Sequence, residues 1–315
     1  MITPLLNAIA PLVVMMALGW GLKQRWVSDD SVWAGLESIV YYVLMPALLF
    51  STISRAELTG LPWGHLLLVL YLPILIMGAL ALVPMAWRTH LSPAVRSSLF
   101  QGITRFNLYI SLSLGVSLLD PQSFALLGLL AGAIVVLVNV LCVSTLVTLN
   151  AGQVSWRKTG IAIASNPLVL ACLAGALANA TQITLGIPEF LWLTLERLGQ
   201  TALPLSLLAI GAGLSLERFS QNLSLNLYSG FAQLLLKPAL AAGLVWLTGL
   251  DTLFGLVIVL LLATPTAPSS YILARKLGGD TSTMASMIVF QTLVGLGTLL
   301  AVLTLWQVVT GIRLT

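Results

Sequence analysis

Long apolar stretches alternate with short polar connections along the whole chain. A window of about 19 residues, the length of a helix that spans a bilayer, finds ten such stretches. Numbered in chain order, these spans cover residues 3–22, 32–53, 63–87, 95–118, 122–149, 158–180, 188–215, 224–248, 252–275 and 283–310. The pattern predicts an all-α membrane protein with ten transmembrane helices.

The two halves of the chain carry the same sequence features in the same order. Repeated halves whose matching segments contain helix breakers are typical of secondary transporters. We therefore divide the chain into a first five-helix repeat, residues 1–150, and a second, residues 151–315. The matching pairs are Pro11 with Pro167, Pro46 with Pro204, Pro73 with Pro238, and residues 104–110 with residues 266–272.

The composition confirms the bilayer as the solvent of this chain. Of its residues, 58% are hydrophobic and only 8% are charged, whereas soluble domains carry about 25% charged residues. The net charge of +4 comes from basic residues dispersed among the connections, so we expect no nucleic-acid partner. Cys142 and Cys172 lie inside apolar spans and offer neither a disulfide framework nor a metal site.

Basic residues in the connections predict the orientation of the chain. The connections after spans 1, 3, 5, 7 and 9 carry nine lysines and arginines, and the opposite side carries two. Because such residues accumulate on the cytoplasmic side, we predict an inner-membrane protein with both termini outside the cytoplasm. Each half has an odd number of spans, so the two repeats are inverted. The nine are Lys23, Arg25, Arg88, Arg96, Arg157, Lys158, Arg218, Arg275 and Lys276, and the two are Arg55 and Arg313.

Spans 4 and 9 contain polar and helix-breaking residues at mid-depth. Residues 104–107 lie about ten residues into span 4, which is near the middle of the bilayer at 1.5 Å per residue. Span 9 contains Pro265 and Pro268, which remove two backbone donors and clash with preceding carbonyls. Such a segment must be buried in protein or line a water-filled cavity. We therefore predict two broken helices that cross near the middle of the membrane.

The predicted breaks create helix N-termini that favour an anion. Unpaired N–H groups and a partial positive charge lie at such ends. Asn107 and Ser269 occupy the expected capping positions, and Arg105 adds a planar fork that suits a carboxylate. The alternatives are structural roles. The breaks could serve the fold alone, Arg105 could bind a carbonyl or an acid as a tether, and the tyrosines could only pack. The further candidate contacts are Thr104, Tyr109, Pro265, Pro268, Ser270, Tyr271 and Asn166.

Ionisable residues within the spans are candidates for energy coupling. A charge at mid-depth costs about 2.5–3.5 kcal/mol on insertion scales, so it is expected to pair or to face a cavity. Glu196, with Glu37 behind it, is a candidate proton carrier, and Lys237 is a candidate partner. A stabilising ion pair between helices is an equally good interpretation. Sodium coupling through unwound carbonyls at the crossover also stays open, and no cofactor is expected.

Two other classes of function are weaker interpretations. The spans contain no cluster of His, Asp and Glu that an intramembrane enzyme would need, because His65 and His90 lie near span ends. A passive channel or a ligand sensor on the same fold is harder to exclude. A sensor usually carries an output domain, and none is evident between the short connections.

Several motifs resemble the auxin efflux carrier family, which includes plant auxin carriers and bacterial permeases assigned to malonate or malate. They are Asn166-Pro167, Arg105-Phe106-Asn107, residues 268–274 and Gly278-Gly279-Asp280. The resemblance implies two inverted five-helix repeats, as in sodium/proton antiporters and bile-acid transporters, with broken helices 4 and 9. It also implies an elevator motion of helices 3–5 and 8–10 against a scaffold of helices 1, 2, 6 and 7, and a homodimer contact through that scaffold. The family's crossover asparagine would be Asn107.

The chain differs from the plant members of that family in two respects. Only about residues 150–157 connect spans 5 and 6, where plant carriers have a long hydrophilic loop. Arg105 beside the asparagine resembles the bacterial branch. We therefore expect a secondary active transporter of a small organic anion, a mono- or dicarboxylate rather than auxin itself. A sodium-coupled organic anion symporter of the bile-acid type is the alternative.

Overall fold

A computed structural model describes residues 2–57, 60–87, 91–150, 160–161, 164–181 and 186–312. The described residues are mostly helical and include no β-strand. Most of the predicted connection 150–157, and Arg88, Arg157, Lys158 and Arg313 of the charge count, lie outside them. The longer helices are α1 (Ile2–Arg25), α2 (Asp30–Ser54), α3 (Trp63–Trp87), α4 (Pro93–Thr104), α5 (Leu108–Leu118), α6 (Pro121–Asn150), α7 (Pro167–Thr181), α8 (Glu189–Ala212), α9 (Leu223–Thr248), α10 (Thr252–Leu262), α11 (Ser269–Leu277) and α12 (Thr281–Thr310).

Six of the described helices are long and apolar enough to cross a membrane: α1, α2, α3, α6, α9 and α12. The other predicted spans differ for visible reasons. Spans 4 and 9 are each divided into two short helices, α4 with α5 and α10 with α11. Helix α7 has 15 residues, and α8 carries Glu189, Glu196 and Arg197. The architecture is therefore that of an all-helical membrane protein.

Two long helices contain a π-turn just before a proline. Residues Val40–Leu44 form the turn in α2, ahead of Pro46, and Ala232–Leu236 form the turn in α9, ahead of Pro238. Proline cannot donate a backbone hydrogen bond, and a widened turn accommodates its ring without ending the helix. Such turns also redirect the side chains that follow, so each one alters which residues face the interior.

Helices α1, α2, α7 and α8 pack against one another at glycines. Gly19 of α1 lies against the backbone of Leu208, and Gly211 of α8 lies against the backbone of Met16. A Cβ at either glycine would lie 2.1 Å or 1.9 Å from a carbonyl oxygen, far inside contact distance. Gly199 meets the backbone of α2 in the same way, and Gly175 of α7 meets Ile53. The absent side chains allow close approach of these four helices, which we call the scaffold group.

The remaining helices form a second packed body around α10. Residues 256–262 of this helix are all buried, and an all-round apolar helix belongs in an interior. It contacts α9, α6, α5 and α3, while α12 packs against α9 and α4. The two bodies meet where α2 and α7 contact α6, where α1 and α8 contact α5, and where α1 contacts α12. The helix breaks lie within the second body, close to this boundary.

Candidate functional site

The first break, residues 105–107, separates α4 from α5. Arg105 and Asn107 have extended backbones, and the chain returns to helix at Leu108. The side-chain oxygen of Asn107 accepts hydrogen bonds from the backbone N–H groups of Tyr109 (3.1 Å) and Ile110 (3.2 Å). Asn107 therefore caps α5, as the sequence predicted, and its own amide oxygen occupies N–H groups that had been expected to bind an anion.

The second break, residues 263–268, separates α10 from α11. Helix α11 begins at Ser269, and its N-cap residue is Pro268, with no side-chain capping bond. The predicted capping role of Ser269 is therefore wrong, because the chain enters the helix one residue earlier than the repeat suggests. Thr264 and Thr266 within this break are fully buried.

The two breaks contact each other directly. The hydroxyl oxygen of Thr264 accepts hydrogen bonds from the backbone N–H of Asn107 (3.2 Å) and the hydroxyl of Ser111 (3.3 Å). The hydroxyl of Thr266 donates to the carbonyl of Gln101 at 3.4 Å. We call this contact between residues 101–111 and 263–270 the crossover. It joins segments about 160 residues apart in the chain.

Two buried glutamines satisfy backbone groups that the breaks release. Gln291 of α12 accepts from the N–H of Thr266 (3.0 Å) and donates to the carbonyl of Gly102 (2.9 Å). Gln233 of α9 donates to the carbonyl of Thr264 at 2.7 Å. Buried backbone groups need such partners, since an unpaired one costs several kcal/mol in hydrocarbon. The crossover is thus a pre-formed structure with fixed polar partners.

A cavity of about 510 Å³ lies between the crossover and the scaffold group. Its wall runs from Arg105 and Asn107 to Ala34 near the start of α2 and Lys276 in the last turn of α11. It therefore extends from the crossover towards the end of the bundle that carries most of the basic connections. We call it the first cavity. The predicted site residues that line it are Arg105, Asn107, Tyr109, Asn166, Pro268, Ser269 and Glu37.

Two residues that line the first cavity each hold a buried donor with no partner among the described residues. The guanidinium of Arg105 donates from Nη2 to Asn139 Oδ1 at 3.2 Å, while its Nη1 is buried and unpaired. The capping bonds hold the amide oxygen of Asn107 against α5, and its Nδ2 is also buried and unpaired. Buried donors in proteins are nearly always paired. Arg105 and Asn107 therefore each keep one donor that a ligand could pair with.

A second polar cap, at Asn166, adds to the positive character of the first cavity. Asn166 Oδ1 accepts from the N–H groups of Leu168 (2.9 Å) and Val169 (3.3 Å), so it caps α7. The N-termini of α5, α7 and α11 therefore all contribute residues to the wall. Each N-terminus carries a partial positive charge, and the sum adds to the full charge of Arg105.

Four other predicted contacts do not line the first cavity. Thr104 is buried behind it, where its hydroxyl contacts Cys142 (3.3 Å) and donates to the carbonyl of Phe100. Ser270 is buried with its hydroxyl 3.3 Å from that of Thr266. Pro265 lies near Gly295 of α12. Tyr271 is half-buried outside the lining.

The three coupling candidates lie in three different environments. Glu37 lines the first cavity. Glu196 is partly exposed and pairs with Arg55 at 3.0 Å, beside a second cavity on the opposite side of the first break. Lys237 is fully buried and contacts Gln233 and two carbonyls of the first break. The suggested pairing of Glu196 with Lys237 is therefore wrong.

Several residues of the site escaped sequence analysis. Asn139, Gln233 and Gln291 are amide side chains inside long apolar spans, and such residues give no periodic signal. Their positions within spans 5, 8 and 10 would have identified them as buried and in need of partners. The partners themselves come from distant segments and could not be read from spacing.

A known protein family matches the second half of the chain. Residues 153–303, slightly less than half of the chain, match a family model described as membrane transport protein. Together with the apolar helices, this match indicates a membrane transporter. The match supports assigning the chain to the auxin efflux carrier family, which its motifs resemble. Comparison with curated proteins gives no match.

Proposed function

We propose that this protein is a secondary active transporter of a small organic anion, which binds at the inner end of the first cavity. The observation that carries the proposal is the pair of unpaired buried donors, Arg105 Nη1 and Asn107 Nδ2. A carboxylate accepts from both, and the partial positive charges of the three helix N-termini stabilise it further without direct N–H contacts. The bound carboxylate also neutralises the charge of Arg105, which removes the free-energy cost of a buried cation that is incompletely paired.

The walls of the first cavity favour a carboxylate with an apolar body. Its volume of about 510 Å³ lies in the range of small-molecule sites. Apart from the donors, its buried lining includes the apolar side chains of Phe106, Val138 and Ile210. A second carboxylate on a dicarboxylate would find Lys276 at the exposed end of the cavity. Both classes therefore belong in the test.

The proposed transport cycle is an elevator motion between two inverted five-helix repeats. The scaffold group stays fixed, and α3–α6 with α9–α12 move with the crossover. The second cavity, about 570 Å³, supports this division because α2 and α8 form one wall and α5 and α6 form the other. The boundary between the two bodies thus contains a cavity on each side of the first break.

The setting of this transporter follows from the charge distribution and the fold. We place it in the inner membrane, with both termini outside the cytoplasm and a homodimer contact through the scaffold group. Glu37 is the proposed proton carrier, because it lines the cavity through which the anion passes. Glu196 is a weaker candidate, since Arg55 neutralises it.

Ligand-induced thermal stabilisation of the purified protein tests the anion site. A ligand that binds the folded state raises its melting temperature by mass action. The panel contains malonate, malate, short aliphatic monocarboxylates and aromatic acetates. We expect stabilisation by at least one of them, and a loss of affinity of about tenfold or more in Arg105→Gln, which removes a charge-assisted bond.

The matched control is Arg275→Gln, which removes an exposed arginine that does not line the first cavity. This variant should bind the carboxylate as the wild type does. Equal affinity of Arg105→Gln and the wild type would show that the anion does not bind at the crossover. An absence of stabilisation by every carboxylate would reject the proposed substrate class.

A further inference from the structure

The crossover contains a buried ammonium surrounded by oxygen atoms. Among the described residues, Lys237 is the largest side chain that is fully buried. Its Nζ donates to Gln233 Oε1 (2.6 Å) and lies near the carbonyl oxygens of Thr104 (3.4 Å) and Arg105 (3.5 Å). Three N–H groups therefore face three acceptors. No carboxylate takes part, since neither ion pair of the described residues involves Lys237.

The oxygen atoms around Lys237 are the kind that hold a small cation. Two are main-chain carbonyls at the end of α4, where the helix dipole concentrates negative charge, and the third is an amide oxygen. Alkali cations bind in transporters at unwound carbonyls of broken helices. Acidic metal sites are absent here: no group of three His, Cys, Asp or Glu side chains in the described residues is arranged to hold an ion.

The elements packed around Lys237 contribute few other charges. The side chain of Arg105 lies in the first cavity and pairs with Asn139. Cys142 of α6 contacts Thr104, the residue whose carbonyl faces the ammonium. The oxygen cage is therefore neutralised by Lys237 itself. The π-turn at Ala232–Leu236 and Pro238 fix the lysine at this point of α9.

We propose that Lys237 occupies a cation site at the crossover with its side-chain nitrogen, in the place where a sodium ion would otherwise bind. The transporter then needs no sodium for binding or transport. This inference rests on the proposed function only for its consequence for coupling, since occupancy of the cage does not depend on the anion. It leaves proton coupling, through Glu37, as the proposed driving reaction.

Ion-dependent thermal stability without any carboxylate tests the occupancy. The melting temperature is measured in equal concentrations of sodium, lithium and choline chloride. The wild type should melt at the same temperature in all three. Lys237→Ala removes the ammonium and opens space, so we expect sodium or lithium to raise its melting temperature by about 2 °C or more over choline.

Two variants serve as controls for this gain. Lys237→Met also removes the charge but fills the space with an apolar chain, so it should gain no response to alkali cations. Arg275→Gln removes an exposed positive charge that does not line the first cavity and should behave as the wild type. Stabilisation of the wild type by sodium over choline would overturn the proposal. A folded Lys237→Ala without any preference for sodium or lithium would overturn it as well.

A transport measurement on the wild type decides the question even where Lys237→Ala does not fold. Carboxylate uptake into proteoliposomes should be equal with sodium and with choline on both sides of the membrane. A requirement for a sodium gradient would contradict the inference. Absence of uptake under every condition would instead reject the proposed function, while the ion-dependent melting of the wild type would still report on the cage.

Discussion

Asn107 performs two tasks with the two ends of one amide. Its oxygen caps α5, and its nitrogen remains free in the buried site. The capping bonds fix the orientation of the amide, because only the oxygen can accept from the N–H groups of Tyr109 and Ile110. Asparagine suits this position because it supplies both a capping oxygen and a free donor, whereas other capping residues such as aspartate supply only the oxygen.

Replacement of Asn107 by aspartate separates the two tasks. Asn107→Asp keeps the acceptor for the cap, so the helix start should persist, but it replaces the free donor with a negative charge. We expect loss of carboxylate binding by a factor of about 100 or more, since a lost charge-assisted bond and a repulsion act together. The measurement is carboxylate affinity by thermal stabilisation.

The companion variant Asn107→Ala loses both the cap and the donor. It should lower the free energy of unfolding by about 1 kcal/mol, the usual effect of a lost cap, and weaken binding less than aspartate does. Wild-type affinity in Asn107→Asp would show that the anion does not approach this amide.

Sequence reasoning found the residues that break a helix and missed the residues that repair the break. Pro265, Pro268 and Asn107 carry local signals of non-helical backbone, so the two breaks could be placed. Gln233 and Gln291 lie on other helices and form hydrogen bonds with backbone groups of the breaks. The sequence around each glutamine does not predict these partners. The Arg55–Glu196 pair spans 141 residues. Long-range polar pairing is decided by packing, which spacing does not encode.

At the scale of the helix, glycines set the distance between α1 and α8. Gly19 and Gly21 lie two residues apart on α1, and only Gly19 faces a neighbouring backbone. Gly19→Ala would place its Cβ at the carbonyl of Leu208, so the helices must separate. We expect destabilisation of about 1–3 kcal/mol, as for other overpacked sites, measured as a lower melting temperature in detergent.

Gly21→Ala is the matched control because no atom lies within 4 Å of its Cβ position. It should leave stability unchanged or raise it by up to about 1 kcal/mol through helix propensity. Equal melting temperatures of the two variants would contradict the close packing of α1 on α8.

The start of α6 depends on an aspartate outside the spans. Burial alone would raise the pKa of Asp120. Hydrogen bonds from the hydroxyl and N–H of Ser123 and from the N–H of Gln122 outweigh this effect, so the pKa lies below its usual value. A carboxylate with a lowered folded pKa stabilises the fold above its unfolded pKa, about 3.9. This stabilisation is lost as the pH falls through the folded value.

Asp120→Asn tests that dependence. The amide keeps an acceptor for the cap but does not titrate, so the variant should lose less stability than the wild type between about pH 5 and pH 2. Asp120→Ala should lose about 1 kcal/mol already at neutral pH, as other lost caps do. Melting curves over this pH range provide the measurement, and parallel acid losses in wild type and Asp120→Asn would refute the assignment.

At the scale of the whole molecule, the two cavities predict accessibility from opposite sides of the membrane. Ser38 lines the first cavity and Gln122 the second, and both are exposed. The native cysteines, Cys142 and Cys172, are buried, so the background reaction with thiol reagents should be low. In the conformation described above, Ser38→Cys should react with a membrane-impermeant reagent from the cytoplasmic side. Gln122→Cys should react from the outside.

A bound carboxylate should protect Ser38→Cys by filling the first cavity. Labelling is measured in inverted and right-side-out vesicles, with and without the anion that stabilises the purified protein. Reaction of Ser38→Cys from the outside alone would reverse the predicted orientation. Protection of Gln122→Cys rather than Ser38→Cys would move the anion to the second cavity.

The tethered ammonium of Lys237 has an electrical consequence for the moving body. Lys237 and Arg105 both belong to the group proposed to travel, so the empty carrier would take two positive charges through the membrane field. One charge crossing 100 mV corresponds to about 2.3 kcal/mol. A bound monocarboxylate cancels one of them and leaves the other. Membrane voltage would therefore hold the empty carrier at the negative side more firmly than the loaded one. Binding of the anion would thus lower the electrical work of moving the body back to the positive side.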